Sequence, residues 1–469
     1  MKLKSIKLKL FFIQSFILIL FLSSFLLIGN EMDYWLFFLK NLLVIQFLLS
    51  YVGNYLLNKW WYNAYGIFLA LVFVFLLSRV FLDVVGAAEL AQTSFFSSYS
   101  FSDNVVEEML VILFLSLVSL NVGFLLNGKS SSNYIKRESS LVYNQPMVHL
   151  GRLFFYLGLL PTIYKVLLVF FNVLKHGYLS LFLSPEIYEV PLIVSFLSMF
   201  FPLGFFFCHV GKMSSSKELN VMTTIFVISL LLEILIGKRG TVLTQLLVLI
   251  WFYAYFYGQL LKLKQLAFFS GILILSAQAT LFLRMNNISE LISLKTFLFQ
   301  QGVSIQVLGY AIQESVQQKY SFSFLDFFRP IIQSTDVFFH KITGSTYNLS
   351  PEQRMEKYNN YSMIIANQVD SRKFGAGFGI GGSYIAELYI ISGYYGVLLF
   401  NLFLGFFLSR VEHFVRFGGG LLVLVLLILP DLVYLPRGYI FEAFNTQSRT
   451  IILLGVIFLF IKIFRKKVS

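Results

Sequence analysis

The chain has 469 residues, of which 58% are hydrophobic and only 13% charged, with a mean hydropathy of +0.78. A soluble domain carries about 25% charged residues, so this composition excludes an ordinary water-soluble fold. The net charge of +13 comes with no long basic run or basic repeat, which argues against nucleic acid and for loops held at one face of a membrane.

A membrane helix needs about 20 apolar residues. Twelve candidate spans follow along the chain: 10–29, 36–57, 62–83, 106–127, 150–172, 190–210, 221–237, 240–258, 265–283, 388–409, 419–436 and 449–464. The first has a basic start (Lys2, Lys4, Lys7, Lys9) but a long apolar run and no small-residue cleavage site, so it reads as a retained span. With the N-terminus placed in the cytoplasm, the inner segments hold Lys59, Lys129, Lys136, Arg137, Lys212, Lys217, Lys262, Lys264, Arg410, Arg416 and the tail from Lys462 to Lys467. Outer segments hold Glu31, Asp33, Asp83, Glu89, Asp103, Glu107, Glu108, Glu186 and Glu189. An even number of spans then puts both basic termini on the cytoplasmic side.

One outer segment, 284–385, is far longer than the rest, and a loop of that length has a job or is disordered. It carries Leu291, Leu294, Phe297, Leu298, Ile305 and Leu308 at helix-like spacing, which predicts that part of it folds against the spans. No internal repeat or second soluble domain is evident, so residues 1–469 read as a single all-α, polytopic membrane domain with one large extracytoplasmic loop. The only cysteine, Cys208, lies in an apolar run, and the five histidines show no ligand spacing. Neither a disulfide nor a metal site is expected.

No P-loop, dinucleotide fingerprint or Ser-His-Asp pattern is present, so chemistry is sought among charged groups near membrane depth, which are costly to keep there. In Gly237-Lys238-Arg239-Gly240-Thr241, two cations stand on the side that basic residues avoid, at the start of a helix that Thr241 would cap. Cations beside a helix N-terminus suit a phosphate or diphosphate; the plainer reading is a tight turn whose side chains snorkel to headgroups. Arg284 follows span nine directly, and Arg437 and Arg449 flank the last outer loop, which also holds Glu442. Together they would form an outer ring of guanidinium groups, the side chain that grips phosphate with two parallel bonds. Glu233, about one turn before Gly237, and Lys165, mid-span beside Pro161, need partners or water.

The run from Phe374 to Tyr389 holds Gly375, Gly377, Gly379, Gly381 and Gly382 ahead of Glu387. The glycines permit turns and close ligand approach. Glu387, at the outer mouth of span ten, suits a general base or a group that orients a sugar hydroxyl, and equally suits a hinge whose acid complements the helix dipole. Phe322, Phe324, Phe327, Phe328, Tyr347, Tyr358 and Tyr361 could stack on sugars, although such rings more often anchor a core or interface. His340 is the only histidine in the loop, and a lone histidine is usually structural.

Three stretches carry a resemblance: Gly237-Lys238-Arg239-Gly240 before an apolar helix; Arg284 leading into Phe299-Gln300-Gln301-Gly302; and the glycine run ending Ala386-Glu387-Leu388-Tyr389, followed by Ser392-Gly393-Tyr394-Tyr395-Gly396. The chain resembles the bacterial O-antigen, capsular and exopolysaccharide repeat-unit polymerases of the Wzy type. These motifs cover about a quarter of the chain, and the span pattern extends the match over all of it; the last motif lacks one aromatic.

The resemblance implies a GT-C-like glycosyltransferase of polysaccharide biosynthesis in the bacterial cytoplasmic membrane, with both termini inside and the site facing outside. It would join oligosaccharide repeats carried on undecaprenyl diphosphate, as donor and acceptor, and release undecaprenyl diphosphate. Arg239, Lys238, Arg284, Arg437 and Arg449 would hold diphosphate, Glu387 would activate or position the acceptor, and His340 would take the place of a catalytic histidine that this superfamily often has in its large loop. Gly377, Gly379, Gly381 and Gly382 would shape the backbone there. No metal or other cofactor is implied; a chain-length regulator protein and membrane lipids are the expected partners. A flippase or transporter of the lipid-linked repeat and an O-antigen-type ligase are the alternatives, the transporter disfavoured by the long loop and the missing repeat.

Overall fold

The computed structural model describes residues 2–28, 32–93, 100–126, 143–177, 180–183, 190–237, 239–257, 294–313, 324–343, 349–358, 361–414, 419–441, 447 and 450–457. Among these the regular structure is helical, apart from an isolated bridge between Gln92 and Ser100. The first helices are α1 (Lys2–Ile28), α2 (Met32–Asn58), α3 (Ala64–Val84), α4 (Asp103–Leu126), α5 (Gln145–His176), α6 (Leu192–Val210), α7 (Ser216–Leu235) and α8 (Arg239–Tyr257). Then come the shorter α9 (Leu294–Gln301), α10 (Val303–Ile312), α11 (Arg329–Thr343), α12 (Pro351–Tyr358) and α13 (Tyr361–Val369). Finally α14 (Tyr384–Leu408) and α15 (Gly419–Val433) are long and apolar, the latter running into a 3-10 turn, Leu435–Arg437.

Eight of these helices are long and apolar enough to cross a membrane: those at 33–58, 64–84, 103–126, 145–176, 192–210, 240–257, 384–408 and 419–437. They coincide with eight of the twelve expected spans. The first and seventh expected spans fall on α1 and α7; span nine lies outside the described residues, as does half of the twelfth. The protein is therefore a multi-pass membrane protein built from helices. The fifth span is longer than its apolar stretch suggests, because Asn144 caps α5 at Met147 N–H (3.2 Å) and the helix runs through Pro161 to stop at Gly177 (φ 81°).

Close helix contact is made where a side chain is missing. A Cβ on Gly405 of α14 would stand 1.9 Å from the Leu120 carbonyl oxygen of α4, and one on Gly123 would stand 2.0 Å from that of Leu402. Apolar side chains gain little by leaving lipid for protein, so close van der Waals fit of this kind is what joins membrane helices. Polar groups add a second tie: Gln14 of α1 and Gln46 of α2 exchange hydrogen bonds of 3.1 and 3.0 Å, and Asn121 of α4 donates to Gln14 at 2.8 Å. All three are buried, and α1 also buries Leu10, Ile17 and Phe21.

Contacts at the helix ends give the relative directions. On one side Trp35 of α2 donates to Glu107 of α4 (2.7 Å), and Lys40 of α2 pairs with Asp83 at the end of α3 (2.7 Å). On the other, the carboxylate of Glu412, in a short helix after α14, accepts from Ala64 N–H (3.1 Å) at the start of α3 and from Trp251 Nε1 (3.2 Å) of α8.

Within the long loop, α9 and α10 pack onto the spans as their spacing predicts, with Leu298, Ile305 and Leu308 buried and Phe297 half-buried. Leu294 is an exception at 62% exposed, and Leu291 lies outside the described residues. No helix among the described residues of this loop is a candidate span.

Candidate functional site

The segment that follows α15 organises the site. After α15 the chain turns through Leu435–Arg437, closed by Arg437 N–H on the Tyr434 carbonyl (2.9 Å) and Gly438 N–H on that of Leu435 (3.0 Å). Elements distant in sequence meet residues 434–441. Tyr434 lies edge-on to Phe75 of α3 (5.8 Å between centroids) and against the start of α8, where a Cβ on Gly240 would stand 2.5 Å from its hydroxyl oxygen. Gly382, the last glycine before α14, packs on the backbone of Arg437 and Gly438, its missing Cβ 3.3 Å from the Gly438 carbonyl oxygen. Ser362 of α13 hydrogen-bonds to Tyr439, and Phe328 of the long loop stacks on Phe441 at 4.9 Å.

Glu387 lies in the first turn of α14 and is 4% exposed. Its Oε2 accepts the Ile440 N–H at 2.9 Å. Burial, with the Glu387 carboxylate as the second cause, pushes the Tyr361 phenol well above its usual range. The expected acid at the helix start is therefore present, but turned into the protein.

Arg437 is half-buried, its guanidinium 5.4 Å from the centre of the Phe75 ring, with Nη1 donating to the Gln301 carbonyl at 3.2 Å. Among the described residues it has no carboxylate partner, and the remaining N–H groups of its fork take no protein acceptor. A second guanidinium meets the same helix end. Arg79 of α3, 1% exposed, donates through Nε to the Phe299 carbonyl (2.9 Å) and lies over the Phe299 ring at 3.9 Å. Ser78 beside it donates to the Leu298 carbonyl at 2.9 Å. The last carbonyls of a helix have no intrahelical partner and carry its negative dipole end, so α9 is pinned where cations suit it.

Of the expected site residues, Arg437, Glu387 and Gly382 come together; Arg239 is the first residue of α8, whose next residue, Gly240, packs on Tyr434. Lys238, Arg284, Arg449 and Glu442 lie outside the described residues. Thr241 does not cap α8: the helix begins at Arg239, after a reversal at Gly237 (φ 90°) whose N–H bonds the Ile234 carbonyl (2.9 Å), so Thr241 is inside the first turn. Gly377 (φ 86°) and Gly381 (φ 81°) take backbone angles that side chains disfavour, and Gly379 and Gly381 border open space.

His340 stands on α11 with Nε2 3.8 Å from Asp336, which also binds Lys357 Nζ (2.6 Å) and the Tyr358 hydroxyl of α12. Lys357 and Tyr358 hold the Asp336 carboxyl below its usual range. No cluster of three or more potential metal ligands occurs among the described residues.

Residues 75, 79, 301 and 434 were not among the expected site groups. Arg79 carries a usable signal, a lone charge inside an apolar run, and Gln301 lies in a motif of the resemblance; Phe75 and Tyr434 are recognisable only by their contacts.

The arrangement offers a partly free guanidinium, a helix start and a glycine-lined backbone at one end of a membrane bundle, a setting suited to an anionic headgroup. Neither the curated proteins nor the solved structures contain a match to the chain. The family model described as O-antigen polysaccharide polymerase Wzy matches residues 10–468, nearly the whole length, and the chain belongs to that family.

Proposed function

We propose that the protein polymerises polyprenyl-diphosphate-linked oligosaccharide repeats at the outer face of the bacterial cytoplasmic membrane, with the diphosphate seated at residues 434–441. The observation that carries this reading is Arg437: half-buried, anchored through one nitrogen to Gln301, and with the rest of its fork available among the described residues. Arg239, at the adjoining start of α8, and Lys238 join it, with Arg284 and Arg449 as further cations of the same site.

In the reaction, a hydroxyl oxygen of the acceptor repeat bonds to the anomeric carbon of the donor chain. The bond from that carbon to the diphosphate oxygen breaks, the electron pair leaves with undecaprenyl diphosphate, and the hydroxyl proton is released. Negative charge grows on the leaving group, and cations already in place stabilise it without reorganisation. The donor is activated before it arrives, so the site needs no nucleotide-binding motif. Asp336 joins α11 to α12 through Lys357 and Tyr358, and His340 lies one turn along α11 beside that carboxylate, a setting that supports a structural part for it.

The test is the lipid-linked glycan profile of a deletion strain carrying either the wild-type chain or Arg437→Ala. Accumulation of single repeats in the deletion and the Arg437→Ala strain supports polymerisation at this site. Repeats trapped at the inner face identify a flippase, and long polymer retained on lipid identifies a ligase.

A further inference from the structure

Resting on the polymerase reading, we infer that Glu387 is a positioning residue that acts through Arg437, rather than the base that receives the acceptor proton. A base must reach the hydroxyl it serves. Glu387 is 4% exposed, and its Oε2 is engaged by the Ile440 backbone N–H at 2.9 Å. That bond is made three residues beyond Arg437, and on the near side of it Gly382 packs against the Gly438 carbonyl.

The start of α14 and the glycine before it thus clasp the segment at two points, Gly438 by close packing with Gly382 and Ile440 by a hydrogen bond to the Glu387 carboxyl. The other side of Arg437 is held independently by the Gln301 carbonyl and by Tyr434 on Phe75. With both flanks fixed, the guanidinium is aimed before substrate arrives. With the Ile440 side released, Arg437 keeps its charge and loses its aim. The clasp needs an acceptor oxygen and not a titrating carboxyl, so an amide side chain can serve.

The experiment measures polymerisation rate per folded molecule in membranes containing the full chain and the strain's own lipid-linked repeat, with folded protein quantified by gel filtration in detergent. Glu387→Ala is expected to lower the rate about 10- to 100-fold, as small misplacements of a binding group do. Glu387→Gln, whose amide oxygen can accept the Ile440 N–H, is expected to recover most of that loss. In an Arg437→Ala background, already slowed about 100-fold by loss of a charge-stabilising donor, Glu387→Ala is expected to cost less than about threefold more.

Glu387→Gln as slow as Glu387→Ala would overturn the inference and restore the carboxylate as the base. Full multiplication of the two losses in the double variant would overturn it as well, since the residues would then act separately. Wild-type rates for both Glu387 variants would make the clasp dispensable. If Glu387→Ala yields no folded protein, Glu387→Gln and its combination with Arg437→Ala still decide. Failure of the polymerase reading is separate: the deletion strain would then not accumulate single repeats, whatever the Glu387 variants do.

Discussion

A buried carboxylate stands at each end of α14, and the two are held by different kinds of partner. Glu387 receives the Ile440 N–H from a segment that carries an available cation and borders glycine backbone. Glu412, 5% exposed, receives Ala64 N–H and Trp251 Nε1 on its side chain and the Tyr255 hydroxyl on its carbonyl (3.0 Å), tying α3 and α8 together. The same chemistry secures a site at one end and a bundle at the other. What separates them is the company: Arg437 beside the first, a closed set of backbone and aromatic donors around the second.

The comparison is broken most directly at Arg437. Arg437→Ala should slow polymerisation about 100-fold, the usual cost of losing one preorganised donor to a developing charge, while the melting temperature in detergent stays near that of the wild type. A variant that melts early with a normal rate per folded molecule would place Arg437 with Glu412 as a structural tie.

Glu412→Ala should do the opposite. It leaves two buried donors unsatisfied, at a cost of about 2–4 kcal/mol in stability. Melting should drop by several degrees with little change in rate per folded molecule; a selective loss of rate would show that both ends of α14 serve the chemistry.

A smaller effect sharpens the contrast through pH. Burial pushes the Glu412 carboxyl up to about 7 from an ordinary value of 4.5, against the opposing pull of its hydrogen bonds. Because the folded value is the higher, its contribution is fully present below pH 4.5 and is lost as pH rises through 7. Melting temperature should therefore decline from about pH 5 to pH 8, and Glu412→Gln should flatten that part of the profile. An unchanged slope in the Gln variant would mean that another group titrates. The smallest effect is expected at Lys357→Ala, which removes an ion pair 44% exposed on the lysine side. It should cost less than about 1 kcal/mol and leave polymer length unaltered.

Eight spans were legible in the sequence, because a lipid-facing helix is defined by local composition. The helices at 294–312 were legible for a similar reason, since Leu298, Ile305 and Leu308 repeat at helical spacing. Arg437 and Glu387 could be nominated as charges at the ends of spans. Their relation could not: Ile440 is 53 residues from Glu387, and Gln301 is 136 from Arg437. The orientation of Glu387 into the protein depends on that meeting, so its sequence could not tell a base from a clasp. Thr241 shows a finer limit, since Gly237 sets where α8 begins. Arg79 was within reach by the same reasoning that singled out Lys165, a lone charge in an apolar run.

The π-helical segment Phe73–Leu77 in α3 has a consequence for how this region tolerates change. Each residue of an α-helix advances its direction by about 100°. A wider turn alters the phase of everything beyond it, and Ser78 and Arg79 come immediately after. Losing a single residue between 73 and 77 would rotate both away from the carbonyls of Leu298 and Phe299, with no change in charge or hydropathy. An alanine substitution there removes one contact; a one-codon deletion would shift the angular register of an entire helix end, so length is the more constrained property of these five positions.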